Sequence, residues 1–278
     1  MVGRVAGKVA LVTGAAQGQG RSHAIRLAEE GADIIAIDIC EHIESVPYEQ
    51  GTAEGLGETV KAVEALGRRA VGLRADVRDY DDIARATAEG VDRLGRLDVV
   101  SANAGILNFG LLEELEDVQW DDLMDVNLKG VWHTAKAAIP HLRAAGGGSI
   151  VLTSSTCATL GMPGIGHYVA AKHGVVGLAK TLAVELGADM IRVNTVNPTN
   201  VETAMLMNES VFARFAPDLP PEDRTLDNLM PRFKAPHVLD IGWIDPVDVS
   251  NAVLWLASDE SRYVSGTSIT IDAGHTAQ

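Results

Sequence analysis

The chain has 278 residues, 46% of them hydrophobic, and a formal net charge of −15. That charge argues against nucleic acid or an anionic membrane surface as a partner, and no uninterrupted apolar stretch is long enough to cross a bilayer. Cys40 and Cys157 make no disulfide framework, neither has Cys or His at metal-ligand spacing, and no basic, apolar-cored signal opens the sequence; the expectation is a cytoplasmic protein without a metal.

The first expected strand, 8–13, is a short apolar run that enters Thr13-Gly14-Ala15-Ala16-Gln17-Gly18-Gln19-Gly20 and then a helix at 18–30. Strand, glycine turn and helix in that order suit a dinucleotide pyrophosphate. The glycines permit a tight turn, close backbone approach and helix–strand packing, and the helix N-terminus offers free N–H groups and a favourable dipole. The second strand, 33–38, ends in Asp38. A carboxylate there accepts from both ribose hydroxyls and repels a 2′-phosphate, and no Arg follows it, which favours NAD over NADP. Residues 41–55 then intervene before a helix at 55–67. Val46, Pro47 and Tyr48 in that stretch are expected to lie as an apolar and aromatic cover over the adenosine edge.

The third strand, 70–75, leads to Asp76-Val77, with Asp76 placed either to accept from an adenine amino group or to cap a helix beginning near Arg78 and running over 80–94. The fourth, 97–102, leads to Asn103-Ala104-Gly105. A helix over 118–145 holds Asn127 in its middle, where a poor helix former needs a reason. The fifth strand, 149–154, delivers Ser155. On the helix expected at 166–188, Tyr168 and Lys172 stand four residues apart and share a face. A neighbouring ammonium lowers a phenol pKa, so Tyr168 is read as a base working near neutral pH, with Ser155 hydrogen-bonding the same substrate oxygen. His133, His141, His167 and His173 have no spacing that suits a metal.

The sixth strand, 191–196, runs into Asn197-Pro198-Thr199. Residues 202–245 follow, broken by Pro217, Pro220, Pro221, Pro231 and Pro236 and rich in Met, Leu and Phe; they are read as an irregular substrate lid with an adaptable apolar wall. A helix at 246–257 and a strand at 268–272 close the order. Alternating strands and helices predict an α/β fold: one Rossmann-type doubly wound parallel sheet over 1–278, with ligand beyond the carboxyl ends of the strands.

The loop Thr13–Gly20, the Asn103-Ala104-Gly105 element, Asn127, the Ser155, Tyr168 and Lys172 set, and Asn197-Pro198-Thr199 together resemble the short-chain dehydrogenase/reductase family, from about residue 6 to residue 273. The stretch 41–55, with Gly20-Arg21-Ser22-His23, Asp38-Ile39-Cys40 and Asn197–Val201, is similar to the mycofactocin-associated, carveol dehydrogenase-like branch. Two departures stand out: Gln17 occupies a commonly basic position, and Thr199 stands where Gly is more usual.

The resemblance implies catalytic residues Asn127, Ser155, Tyr168 and Lys172, with Asn127 holding a water that links Lys172 to solvent. It implies an NAD site of Gly14, Gln17, Gly18, Gln19, Asp38, Ile39, Asp76, Val77, Asn103, Ala104, Gly105, Tyr168, Lys172, Pro198, Thr199, Val201 and Thr203. It further implies a homotetramer packed through the 118–145 and 166–188 helices, a cofactor that exchanges poorly, and mycofactocin as an outside redox partner. The expected reaction is hydride transfer between a hydrophobic secondary alcohol of terpenoid, carveol-like type and bound NAD, giving a ketone. The alternatives are a non-catalytic NAD-binding regulator, a steroid or 3-oxoacyl reductase of the same superfamily, and a nucleotide-sugar epimerase or dehydratase on a related fold.

Overall fold

A computed structural model describes residues 3–277. Its sheet is built from β1 (Val9–Thr13), β2 (Asp33–Asp38), β3 (Ala70–Arg74), β4 (Val99–Ala102), β5 (Gly148–Thr153), β6 (Ile191–Pro198) and β7 (Ser268–Ile271). The strands run in the order β3-β2-β1-β4-β5-β6-β7, and every neighbouring pair is parallel. Each strand lies within two residues of the position read from sequence. Parallel strands bury both faces, which is why an uninterrupted apolar run such as Val9–Thr13 is a strand signal here. Along β1, Val9 and Leu11 enter one core, and Ala10 and Val12 the other.

The helices are α1 (Gly18–Glu29), α2 (Ala53–Ala65), α3 (Tyr80–Leu94), α4 (Asp117–Met124), α5 (Gly130–Ala145), α6 (Gly166–Glu185), α7 (Glu209–Phe215), α8 (Leu226–Lys234) and α9 (Pro246–Ala257). Ala24 and Leu27 of α1 share a core with Val249 and Val253 of α9, whereas Ile83 of α3, Ala138 of α5 and Val175 of α6 lie in the core on the opposite face. The result is a single-domain Rossmann-type α/β fold. Strand order reverses between β1 and β4, where a crevice opens at the carboxyl ends. Those two ends are stitched together: the Thr13 hydroxyl accepts from the Asn103 and Ala104 amides at 3.1 and 3.2 Å, and Asn103 Nδ2 donates to the Thr13 carbonyl at 3.1 Å.

Two expectations are corrected. The single helix over 118–145 is divided into α4, a π-helical turn at Asp125–Lys129 and α5. The wide turn is where Asn127 sits, so the unfavourable mid-helix residue marks a local change of helical pitch. Residues 202–245 are more regular than their prolines suggest. They contain α7 and α8, whose N-caps Asn208 and Thr225 accept from Val211 N at 3.2 Å and Asn228 N at 3.4 Å. Val211, Ala216, Leu229 and Phe233 give this segment a small core of its own. Among the described residues, no helix is long and apolar enough to cross a membrane, and no group of His, Cys, Asp and Glu side chains is arranged to hold a metal.

Candidate active site

A cavity of about 1060 Å³ lies at the carboxyl ends of the strands. Every residue of the expected cofactor set lines it, as does Ser155; Asn127 does not.

At one end is the glycine turn. Gly14 has φ +67°, a backbone conformation that favours glycine, and a Cβ on Gly20 would collide with the Gly14 carbonyl. These two positions bring the start of α1 against the end of β1. The N-cap of α1, Gln17, makes no side-chain cap, and no acidic residue occupies the first turn. The first N–H groups of α1 are therefore available to an anion, and these donors fit a pyrophosphate. The side-chain oxygen of Gln19, an acceptor, is buried beside them without a partner.

The Asp38 carboxylate at the end of β2 is fixed by the Ala16 and Cys40 amides, both at 2.9 Å. Its remaining lone pairs suit a pair of ribose hydroxyls. Arg74, its register partner on β3, is committed elsewhere, donating to the Ile39 carbonyl at 2.9 Å and pairing with Glu41. Asp76 is also engaged: it accepts from the Arg78 amide at 2.9 Å and pairs with the Arg78 guanidinium at 2.8 Å. Asp76 is not the cap of α3. That place belongs to Asp79, which accepts from Asp81 N at 2.9 Å and Asp82 N at 3.3 Å.

Residues 41–55 cross the crevice from the β2 end to the chain beyond β4. The Tyr48 hydroxyl accepts from Leu107 N at 3.0 Å, Ser45 donates to Asp122 at 2.8 Å, and Gln17 Nε2 donates to the Glu49 carbonyl at 3.3 Å. The approach to Asp38 is so close that a Cβ on Gly51 would stand 2.8 Å from its carboxylate. Tyr48, Ile43, Gln50 and Gly51 line the cavity. Val46 and Pro47 do not cover the site as expected: Val46 is drawn into the main core and Pro47 points to solvent.

At the centre, Ser155, Tyr168 and Lys172 meet. The Ser155 hydroxyl accepts from Cys157 N at 3.1 Å, which leaves its own hydrogen to donate towards the neighbouring Tyr168 phenol. Lys172 is buried, donates to the Thr153 carbonyl at 2.9 Å and places its Nζ 5.4 Å from the centre of the Tyr168 ring. The expectation that Lys172 lowers the Tyr168 pKa is not met in the protein alone. Burial pushes the phenol up, with Cys157 and Tyr48 adding to the rise and the Ser155 hydrogen bond opposing it. The ammonium is itself weakened: burial lowers the Lys172 pKa to about 8. Asn127 is fully buried just behind this group. Its amide clamps Ile106, accepting from the backbone N–H and donating to the carbonyl, both at 2.8 Å. Cys157 is a buried thiol whose pKa is raised by burial, as a small apolar residue would be.

Beyond Thr199 the cavity enters the 202–245 segment. Met205, Leu206, Val211 and Phe215 line it, whereas Met207, Phe212, Leu229, Met230 and Phe233 do not. Phe233 is fully buried, in ring contact with Phe212, Phe215 and Trp243. Leu206, Val211 and Phe215 belong both to the cavity wall and to the segment's own core. Thr199 uses its hydroxyl: His237 Nε2 lies at 2.8 Å and His275 Nδ1 at 3.2 Å. His275 and Arg214 also line the cavity. Neither has a motif around it, and only the fold brings them there.

The sequence matches the family model for short chain dehydrogenases over residues 8–212. It is 50% identical to the (−)-trans-carveol dehydrogenase of Rhodococcus erythropolis over 275 residues, 98% of this chain and 99% of that one. The structure is similar to that of carveol dehydrogenase from Mycobacterium avium in complex with NAD, with a TM-score of 0.97 and 53% identity, covering 99% of this chain and all of that one. It is also similar to a short chain dehydrogenase from Mycobacterium paratuberculosis bound to NAD, with a TM-score of 0.89 and 40% identity over 99% of this chain and all of that one.

Proposed function

This chain belongs to the short-chain dehydrogenase family, and from that membership we propose that it oxidises a hydrophobic secondary alcohol to a ketone with NAD held in its cavity. The observation that carries the reading is the position of Ser155, Tyr168 and Lys172 in one continuous cavity. An uncapped helix start and the Asp38 carboxylate lie on one side, and the apolar wall of Met205, Leu206 and Phe215 lies on the other.

Gly14, Gln17, Gly18 and Gln19 would hold the pyrophosphate, Asp38 and Ile39 the adenosine ribose, and Asp76 and Val77 the adenine. Asn103, Ala104, Gly105, Pro198, Thr199, Val201 and Thr203 would flank the remainder. When bound, NAD accepts the hydride from the carbinol carbon. Ser155 donates a hydrogen bond to the substrate oxygen, and Tyr168 takes its proton. Lys172, held on Thr153, places a cation beside the phenol and the cofactor ribose. Asn127 fixes the backbone at Ile106, next to Gly105, and its carbonyl oxygen has a second lone pair for a water that would link Lys172 to solvent.

The substrate is of terpenoid, carveol-like type, in keeping with the apolar wall. The segment 41–55, tied down at Tyr48 and Ser45, covers the adenosine side. Dissociation of NAD then requires it to open, so the cofactor exchanges slowly and is reoxidised in place, with mycofactocin as the outside acceptor. Exposed Val118, Trp120, Trp132 and Val184 on α4, α5 and α6 support assembly through those helices into a homotetramer. A panel of terpenoid, aliphatic and steroid alcohols with NAD-loaded protein and a redox dye tests the reading. Turnover of terpenoid alcohols at the highest kcat/KM supports it, and no turnover of any alcohol refutes it.

A further inference from the structure

Resting on the alcohol-oxidising reading of this site, we propose that the apolar, terpenoid-like substrate is not neutral as carveol is but carries a carboxylate remote from its reacting hydroxyl, and that Arg214 receives it. Arg214 stands in the last turn of α7 and lines the cavity. The other two arginines of the same segment are answered: Arg224 pairs with Glu209 at 2.5 Å, and Arg232 pairs with Asp218 at 2.5 Å. Arg214, among the described residues, meets no carboxylate and donates no hydrogen bond. This happens in a chain with 38 acidic residues against 23 Lys and Arg, where a cation is easily paired. A guanidinium has five donors, and leaving them unmet in a half-buried position is costly.

The side chain is nevertheless held in place. Its guanidinium stands over the Phe109 ring at 5.7 Å, a favourable cation–π placement. On its other side it presses on Gly164, where any Cβ would collide with it; the Gly164 carbonyl is fixed by the Gly110 amide at 3.0 Å. Phe109 and Gly164 thus form a seat that orients the guanidinium without satisfying a donor. Its role is not to close α7, because it donates to no carbonyl at that helix end. Gly164 belongs to the loop between Ser155 and Tyr168, and Phe109, Gly164 and Cys157 line the same cavity as Arg214. Met162, Met205, Leu206 and Phe215 line the same cavity, which suits an apolar body with one anionic end. A planar fork in such a wall selects a carboxylate by paired, charge-assisted hydrogen bonds. An uncharged alcohol would leave Arg214 as it stands now.

The test uses NAD-loaded protein with a redox dye. A homologous series of hydroxy acids with the hydroxyl on the penultimate carbon is compared with the methyl ester and the plain secondary alkanol of each chain length. Wild-type kcat/KM for the best acid should exceed that for its ester by about tenfold or more, the worth of a charge-assisted hydrogen bond. Arg214→Gln should bring the acid-to-ester ratio near one through a rise in KM for the acid, and Arg214→Lys should retain part of the preference. A wild type that oxidises esters or alkanols as well as acids at every length overturns the charge inference and leaves alcohol oxidation standing. So does an Arg214→Gln protein with an unchanged ratio. Failure to oxidise any member of the three series overturns alcohol oxidation and this inference with it.

Discussion

Two segments outside the sheet, 41–55 and 202–245, both wall the cavity, and they are held by different means. The first is woven into the frame: Tyr48 reaches Leu107, Ser45 reaches Asp122, Glu49 meets Gln17, and Ile43 and Val46 enter the main core. The second hangs from a narrow neck. Glu202 N donates to the Ile244 carbonyl and Ile244 N to the Asn200 carbonyl, both at 3.0 Å, so its entrance and exit are pinned together. Between those points it is held by its own aromatic core around Phe233 and by a further tie, the Val238 and Leu239 amides donating to the Ala273 carbonyl at 2.9 and 3.0 Å. A cover fixed to the frame suits a ligand that stays, and a unit with a neck and a private core suits one that comes and goes.

The largest expected effect falls where the two territories meet. Tyr168→Phe keeps the ring and removes the transferable proton, so alcohol oxidation should fall by about 10³-fold with NAD still bound. Single-turnover kinetics with NAD-loaded protein checks this, and near-normal oxidation would remove Tyr168 from its role. On the lid side, Phe233→Ala empties the private core, a local cost of about 3–5 kcal/mol. The comparison predicts a raised KM for alcohol with little change in the rate of NAD loss, read from steady-state kinetics and from cofactor release. Equal damage to both would show that the lid and the cofactor cover are one unit.

On the cofactor side, Asp38→Ser removes the carboxylate that repels a 2′-phosphate. NAD over NADP selectivity should drop by about 10–100-fold in a binding titration, equivalent to about 1.4–2.8 kcal/mol. Equal binding of both by the wild type would contradict the role given to Asp38. The smallest effect concerns Lys172. It releases its proton near pH 8 in the fold and near 10.5 in the unfolded chain. Between those values the unfolded chain binds more protons, so this group's opposition to folding is full below pH 8 and fades as pH rises. Lys172→Met should therefore raise the Tm of the cofactor-free protein by a few degrees at neutral pH, and the gain should shrink towards pH 10.5. A pH-independent difference would mean that the buried ammonium is not the cause.

What could be read from sequence followed from periodicity and local motifs. Apolar runs such as Val9–Thr13 and Asp33–Asp38 marked parallel strands because both faces are buried, and the strand ends then named Gly14, Asp38, Ser155 and Thr199 as cavity residues. The caps Asn208 and Thr225 were written in the chain, yet the prolines around them masked α7 and α8. Asn127 stood out as a poor helix former, but the π-turn around it was not expected, and its partner Ile106 is distant in sequence. Contacts of that kind were not legible: Tyr48 to Leu107, Arg214 to Gly164 and His275 to Thr199 exist only once the sheet is assembled. The Tyr168 phenol illustrates the same limit. Spacing placed a cation on its face of the helix, whereas burial decided the direction of its pKa.

The most direct test of a retained cofactor serving an exchangeable alcohol is a single-turnover experiment. Protein loaded with NAD is passed through gel filtration, mixed with excess secondary alcohol and no free NAD, and followed by NADH absorbance and by the NADH recovered in a filtrate. About one NADH per cofactor-loaded chain should form and stay on the protein, with turnover resuming only when a redox dye is added. Protein that leaves gel filtration free of cofactor and turns over rapidly on added NAD would contradict this expectation, as would loaded protein that forms no NADH.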